Sequence, residues 1–275
     1  MTKTISFLGA GHLPEAIIKG LLGSGEADAS RIMIFDKFPS QYTRYNGTGV
    51  LCAESLAQVL DFGNIVFLIV KPQDFKDLLP QIKSSGSDLI GKLFISTAAG
   101  ITLDYIASFL GDKAAIVRTM PNTPLALGAG MTALARNKNV TDDDFTDAKA
   151  IFSTGDSDTI VIPEDKMNAV TSVNGSSPAY VYLFAKAMAD GAESLGFTRE
   201  DSLRAVIKSL EGSILMLKNS GKTPDELVRA VAVPGGTTEK AVDSFNADNL
   251  TDIVRRAMEA CTLRADELTN QYSGH

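Results

Sequence analysis

Up to Ile162 the apolar residues fall in short unbroken runs, and each run is closed by a turn signal. Ile5-Ser6-Phe7-Leu8, Arg31-Ile32-Met33-Ile34-Phe35, Asn64-Ile65-Val66-Phe67-Leu68-Ile69-Val70, Leu93-Phe94-Ile95-Ser96 and Ala115-Ile116-Val117-Arg118 read as buried strands. Between them, segments such as Leu103 to Leu110 carry helical spacing, so the chain alternates β and α as a doubly wound parallel sheet does. Near Ile160-Val161-Ile162-Pro163 the strands stop. From Asp165 onward the spacing is helical throughout: Ala179, Leu183, Ala187 and Gly191 recur at fours, with Phe184, Met188 and Leu195 beside them. Thr198-Arg199-Glu200-Asp201 and Thr223-Pro224-Asp225-Glu226 mark helix starts. The expectation is an α/β domain over residues 1–162 and an all-α domain over 163–275.

The first strand runs into Gly9-Ala10-Gly11-His12-Leu13-Pro14, and a helix begins at about Ala16. Gly9 and Gly11 let the backbone approach a pyrophosphate, whose charge then sits on the unpaired amides of the helix start, at His12 and Leu13. The third position of the G-x-G-x-x-G/A pattern is Pro14, which costs no intrahelical hydrogen bond in a first turn. Asp36, closing the second strand, can accept from adenosine ribose hydroxyls and so favours NAD, though a helix or turn cap would look the same; Lys37 beside it pulls toward NADP. The strand ending in Val70-Lys71-Pro72 should present its carboxyl end to the same ligand.

Charge and composition narrow the partner. A net charge of -7 and a pI near 4.9 exclude a protein whose affinity comes from lysine and arginine on nucleic-acid phosphates. Cys52 and Cys261 are too few and too far apart for a disulfide framework or a zinc site, so no metal and a reducing, cytoplasmic compartment are expected. No stretch approaches the length of a membrane span, and the N-terminus enters a strand with no apolar leader, which leads to the expectation of a soluble protein. Histidine is limited to His12 and His275.

In the helical half, Val233-Pro234-Gly235-Gly236-Thr237-Thr238 exposes consecutive amides before a helix start, a nest suited to a carboxylate; threonines capping a helix after a glycine turn would look the same. Taken with Val70-Lys71-Pro72-Gln73, Ala98-Ala99-Gly100-Ile101-Thr102, Met120-Pro121-Asn122-Thr123-Pro124 and Ser176-Ser177-Pro178-Ala179-Tyr180, in this order, the chain resembles the pyrroline-5-carboxylate reductases. The resemblance implies an N-terminal Rossmann domain binding NADP or NAD, and a helical dimerisation domain that forms a homodimer or larger assembly. It also implies a small-molecule substrate, 1-pyrroline-5-carboxylate. It places the substrate carboxylate on Pro234, Gly235, Gly236, Thr237 and Thr238, with the Thr238 hydroxyl at the ring nitrogen. Val70, Lys71, Pro72, Ala98 and Ala99 would line the cofactor with Gly9, Gly11, His12, Leu13, Asp36 and Lys37. Val233 stands where members commonly carry a serine, Ala232 where they carry another small polar residue, and Ser177 where they carry a glycine.

The scarcity of histidine fits such chemistry. Carbonyl reduction calls for a positioned acid, whereas a cyclic imine arrives protonated and needs mainly orientation. Two rivals stand beside this reading. A β-hydroxyacid dehydrogenase relative would use a helical lysine four residues before an asparagine, and Lys186 precedes Asp190 at that spacing, as a helix-face ion pair also would. A catalytically silent nucleotide-binding paralogue would account for Val233, Ser177 and Pro14.

Overall fold

The computed structural model describes residues 2–273; His275 lies outside them. The chain forms two compact units, Met1–Ser176 with Cys261–His275, and Ser177–Ala260. The division therefore falls elsewhere than the 162/163 boundary at which the strands end, because residues 163–176 and those from Cys261 onward make their contacts with the sheet-bearing unit.

That unit is built on β1 (Ile5–Leu8), β2 (Ile32–Phe35), β3 (Leu51–Cys52), β4 (Ile65–Leu68), β5 (Leu93–Ser96), β6 (Ala115–Pro121), β7 (Met131–Arg136) and β8 (Asp158–Val161). They form one sheet in the order β3-β2-β1-β4-β5-β6-β7-β8. The first six are parallel to one another, in the order of a dinucleotide-binding Rossmann sheet, which reverses between β1 and β4. β7 departs from the expected parallel arrangement by running antiparallel to β6, with Arg118 opposite Ala135. Its link, residues 122–130, is too short for the helical crossover that parallel pairing needs.

Helices α1 (His12–Ser24), α2 (Leu56–Phe62), α3 (Phe75–Ser84), α4 (Leu103–Leu110) and α5 (Asp142–Phe152) cover the sheet. Successive side chains of a strand point to opposite faces, and both faces are buried. Ile65 and Phe67 of β4 join Ile17, Ile18 and Phe152 on one side; Val66 and Leu68 join Val59, Leu60, Phe75 and Leu79 on the other. Phe7 stacks on Phe67 at 4.6 Å, and Phe152 meets Phe67 edge-on. α6 (Met167–Val170) follows β8, and a π-turn, Thr171–Gly175, leads out of the unit.

The tail of the last helix returns to this unit through a polar network. Arg118, only 2% exposed, reaches Glu164 at 3.4 Å and Asn168 at 2.9 Å. Glu164 also accepts the Leu103 N–H at 2.7 Å, and Asn168 donates to Asp266 and Thr269. Burial pushes the Arg118 guanidinium below its ordinary pKa while Glu164 pulls it back up. Ser273 donates to the Gly100 carbonyl at 2.8 Å, and a Cβ on Gly100 would lie 2.9 Å from the backbone of Leu268.

The second unit contains α7 (Ser177–Ser194), α8 (Arg199–Asn219), α9 (Pro224–Val231), α10 (Thr237–Ala247) and the beginning of α11 (Leu250–Tyr272). Thr198 caps α8, and Thr223 with Glu226 forms a reciprocal capping box on α9, as the sequence pattern requires. Its buried side chains are Ala189, Ser202 and Val206, whereas Leu183, Phe184, Met188, Phe197, Ile214 and Leu217 are exposed within the single chain. Among the described residues no helix is long and apolar enough to cross a membrane.

Glu164→Ala leaves a buried cation uncompensated and is expected to lower unfolding stability by about 2–4 kcal/mol, the lower part of the range for a broken buried pair because Glu164 is partly solvated. Chemical denaturation checks this; replacing both Arg118 and Glu164 by methionine should cost less than the single change.

Candidate functional site

The exit of β1 is locked before it opens. Gly9 donates to the Phe35 carbonyl at 2.8 Å while Ile69 donates to Leu8 at 2.9 Å, so the chain leaves β1 between the ends of β2 and β4. Gly9 has φ +114°, and a Cβ there would sit 2.1 Å from the Ile69 carbonyl oxygen. Only glycine fits. Gly11 is different: it is the N-cap of α1, no side chain caps the helix, and a Cβ there would meet nothing within 4 Å. The amides of His12 and Leu13 thus begin a helix whose positive end carries no side-chain cap, which suits a pyrophosphate. Pro14 is buried in the first turn, with Ala16, Ile17 and Ile18 following it into the core.

Around this turn the side chains are charged. Asp36 Oδ2 accepts the Ala10 N–H at 2.8 Å, and Oδ1 accepts the Phe38 N–H at 2.8 Å. Lys37 pairs with Asp74 at 2.9 Å. Exposed His12 lies against Arg44, which pairs with Glu15 at 3.0 Å; Lys19 and Arg44 together hold the Glu15 carboxyl below the usual range. Val70 and Pro72 are half-buried and Lys71 exposed, all beyond the end of β4 at the point where the strand order reverses. Ala98 is buried after β5, and Ala99 packs on the cluster of Met120, Ala133 and Met167. The first unit therefore brings Gly9, Gly11, His12, Leu13, Asp36, Lys37, Val70, Lys71, Pro72, Ala98 and Ala99 to the carboxyl edge of one sheet, where ligands of open α/β sheets bind.

In the second unit, Val233, Pro234, Gly235 and Gly236 form a tight turn. Gly236 donates to the Val233 carbonyl at 3.0 Å, and Gly235 at φ +77° supplies the positive φ that a type II turn requires after proline. Gly236 is then the N-cap of α10 with no side-chain cap, so Thr237 and Thr238 lie inside the first turn and do not cap it. The side chains of Ser55, Thr102, Thr141, Thr198 and Thr223 each cap their own helices; those led by Gly11 and Gly236 are left open.

Sequence reasoning overlooked two side chains. Glu239 Oε2 accepts the Gly235 N–H at 3.0 Å, so an internal carboxylate already occupies one donor of the nest. A glutamate four residues after the turn glycine was the available signal. Arg44 lay in a polar loop with nothing local to mark it. Lys186 forms an ion pair with Asp190 on an exposed helix face, and Arg199 shares the same carboxylate at 2.7 Å. Among the described residues no three His, Cys, Asp or Glu side chains cluster as metal ligands.

A family model described as pyrroline-5-carboxylate reductase dimerisation matches residues 164–268, and one described as NADP oxidoreductase, coenzyme F420-dependent, matches residues 4–100. The chain is 36% identical to the pyrroline-5-carboxylate reductase of Escherichia coli strain K12 over 98% of its length and 99% of that protein, and 33% identical to that of Pisum sativum over 97% and 96%. It belongs to the pyrroline-5-carboxylate reductase family. A solved pyrroline-5-carboxylate reductase from Coxiella burnetii superposes with a TM-score of 0.90 at 31% identity, covering 98% of this chain and 99% of that one. The Plasmodium falciparum enzyme, solved with NADP bound, gives 0.87 at 26% identity, covering 98% of each.

In this chain the two leading glycines differ in a way that stability measurements can separate. Gly9→Ala should destabilise the fold by more than about 2 kcal/mol, since both its φ and the Ile69 carbonyl forbid a Cβ. Gly11→Ala should stay within about 1 kcal/mol of the parent, because no protein atom opposes the methyl.

Proposed function

We propose that this chain is a pyrroline-5-carboxylate reductase, converting 1-pyrroline-5-carboxylate, NAD(P)H and a proton to proline and NAD(P)+. The observation that carries the reading is the pair of uncapped, glycine-led helix starts, one at Gly11 and one at Gly236, in a chain whose relatives over its whole length carry that name.

The reduced nicotinamide, when bound, supplies the hydride. Gly9 and Gly11 make room for the pyrophosphate, the His12 and Leu13 amides receive its charge, and Val70, Lys71, Pro72, Ala98 and Ala99 line the cofactor at the strand ends. In the helical unit the amides of Gly236, Thr237 and Thr238 take the substrate carboxylate, with the Gly235 amide joining them once Glu239 gives it up. The Thr238 hydroxyl accepts from the protonated ring nitrogen and keeps the imine carbon oriented. No acid-base side chain is required, because the imine enters already protonated. Val233 adds no polar group where many members have a serine, so the backbone carries more of the carboxylate binding.

A homodimer belongs to this reading, supported by the apolar residues that the helical unit leaves exposed, Leu183, Phe184, Phe197 and Ile214 among them, and by the match to a dimerisation family. So does a cytoplasmic location, supported by Cys52 and Cys261 both being free thiols, the first exposed.

Steady-state oxidation of NAD(P)H with 1-pyrroline-5-carboxylate tests the proposal. Thr238→Ala should lower kcat/KM by about tenfold to a hundredfold, the loss of one well-placed hydrogen bond to a charged group. Lys186→Ala should leave kcat within about twofold, since an exposed i, i+4 ion pair contributes little; loss of the chemical step there would instead favour a β-hydroxyacid dehydrogenase. Cofactor binding without turnover would point to the silent paralogue. Glu239→Gln, by weakening the internal competitor for the Gly235 amide, should lower the substrate KM by roughly threefold to tenfold with kcat little changed.

A further inference from the structure

The end of β2 carries one carboxylate and one ammonium side by side, and their contacts differ in kind. Asp36 is fixed by main-chain donors on both sides, Ala10 N–H to Oδ2 and Phe38 N–H to Oδ1, each at 2.8 Å. Its own backbone is pinned as well: the Asp36 N–H donates to the Tyr42 hydroxyl at 3.1 Å. Because Ala10 lies between Gly9 and Gly11, the carboxylate is tied to the turn that leads into α1. Each carboxylate oxygen has accepting capacity left after one hydrogen bond. Two adjacent acceptors held rigidly match the two hydroxyl donors of a ribose 2′,3′-diol. A 2′-phosphate replaces one donor with a dianion and brings it against a fixed negative charge.

A phosphate there would need a cation to meet it, and the two that flank this loop, Lys37 and Arg44, already have carboxylate partners. Lys37 is turned to Asp74 at 2.9 Å. Arg44 is held by Glu15 at 3.0 Å and lies against the His12 ring at 3.1 Å. Asp74 is thus paired with Lys37, and Glu15 with Arg44 and Lys19, whereas Asp36 is held by backbone donors.

We infer that Asp36, held by the Ala10 and Phe38 amides and with Lys37 neutralised by Asp74, makes this chain select NADH over NADPH. The inference rests on the reading of the first unit as the dinucleotide-binding part of a reductase. The fold leaves the choice open, since the Plasmodium falciparum relative was solved with NADP bound.

Binding without turnover tests it. Calorimetric titration of the full-length protein with NADH and NADPH should give a Kd for NADH at least about tenfold lower, the scale expected when a like charge is brought against a fixed one. Displacement by AMP and by 2′,5′-ADP should show the same order, confining the effect to the adenosine end. Asp36→Asn should bring the two cofactors within roughly threefold of each other. Asp74→Asn, which leaves the Asp36 cradle intact and releases Lys37, should strengthen NADPH binding while leaving NADH unchanged, and it keeps the test valid if the Asp36 variant folds poorly. Equal or tighter binding of NADPH by the parent protein overturns the selectivity and leaves the reductase reading standing. Failure of both cofactors to bind overturns the reductase reading and the selectivity together.

Discussion

The contact on which this architecture turns is between one glycine and one carbonyl. Gly9 leaves β1 so close to Ile69, at the end of β4, that no side chain fits between them, and its positive φ turns the chain into α1. That approach occurs where the strand order reverses. The reversal creates the crevice, and the absence of a Cβ lets the helix start stand at its mouth. A bulkier residue would displace either the α1 N-terminus or the β4 exit carrying Val70 to Pro72, so both walls of the cradle depend on this single packing constraint.

The two glycine turns, far apart in sequence, are built alike. Each leaves a helix N-terminus without a side-chain cap, and an open N-terminus is a set of unsatisfied donors. In both, an internal carboxylate takes one neighbouring amide: Asp36 that of Ala10, Glu239 that of Gly235. The carboxylates differ in how they are held. Asp36 is braced from two sides by backbone donors, whereas Glu239 accepts a single backbone donor, from a helix side chain.

The fold was legible because its strands are buried on both faces, which writes them as continuous apolar runs, and because the helix caps at Thr198 and Thr223 are local chemistry. β7 was not, since its antiparallel pairing is decided by the length of the link from β6 and not by any property of Met131–Arg136. The glycine turns could be read from sequence because backbone conformation restricts residue type. The engagement of Lys37 by Asp74, of Arg44 by Glu15 and of Arg118 by Glu164 could not, because each joins residues 29 to 46 positions apart through tertiary packing.

The tail of α11 has a consequence for how the protein is made. Residues from Cys261 onward belong with the sheet, and Thr269 and Ser273 fasten Asn168 and the Gly100 loop. During synthesis the sheet emerges from the ribosome first and waits through all of α7 to α10 for its last piece. A nascent chain halted before Cys261 would present the loop after β5 without the clasp that secures it.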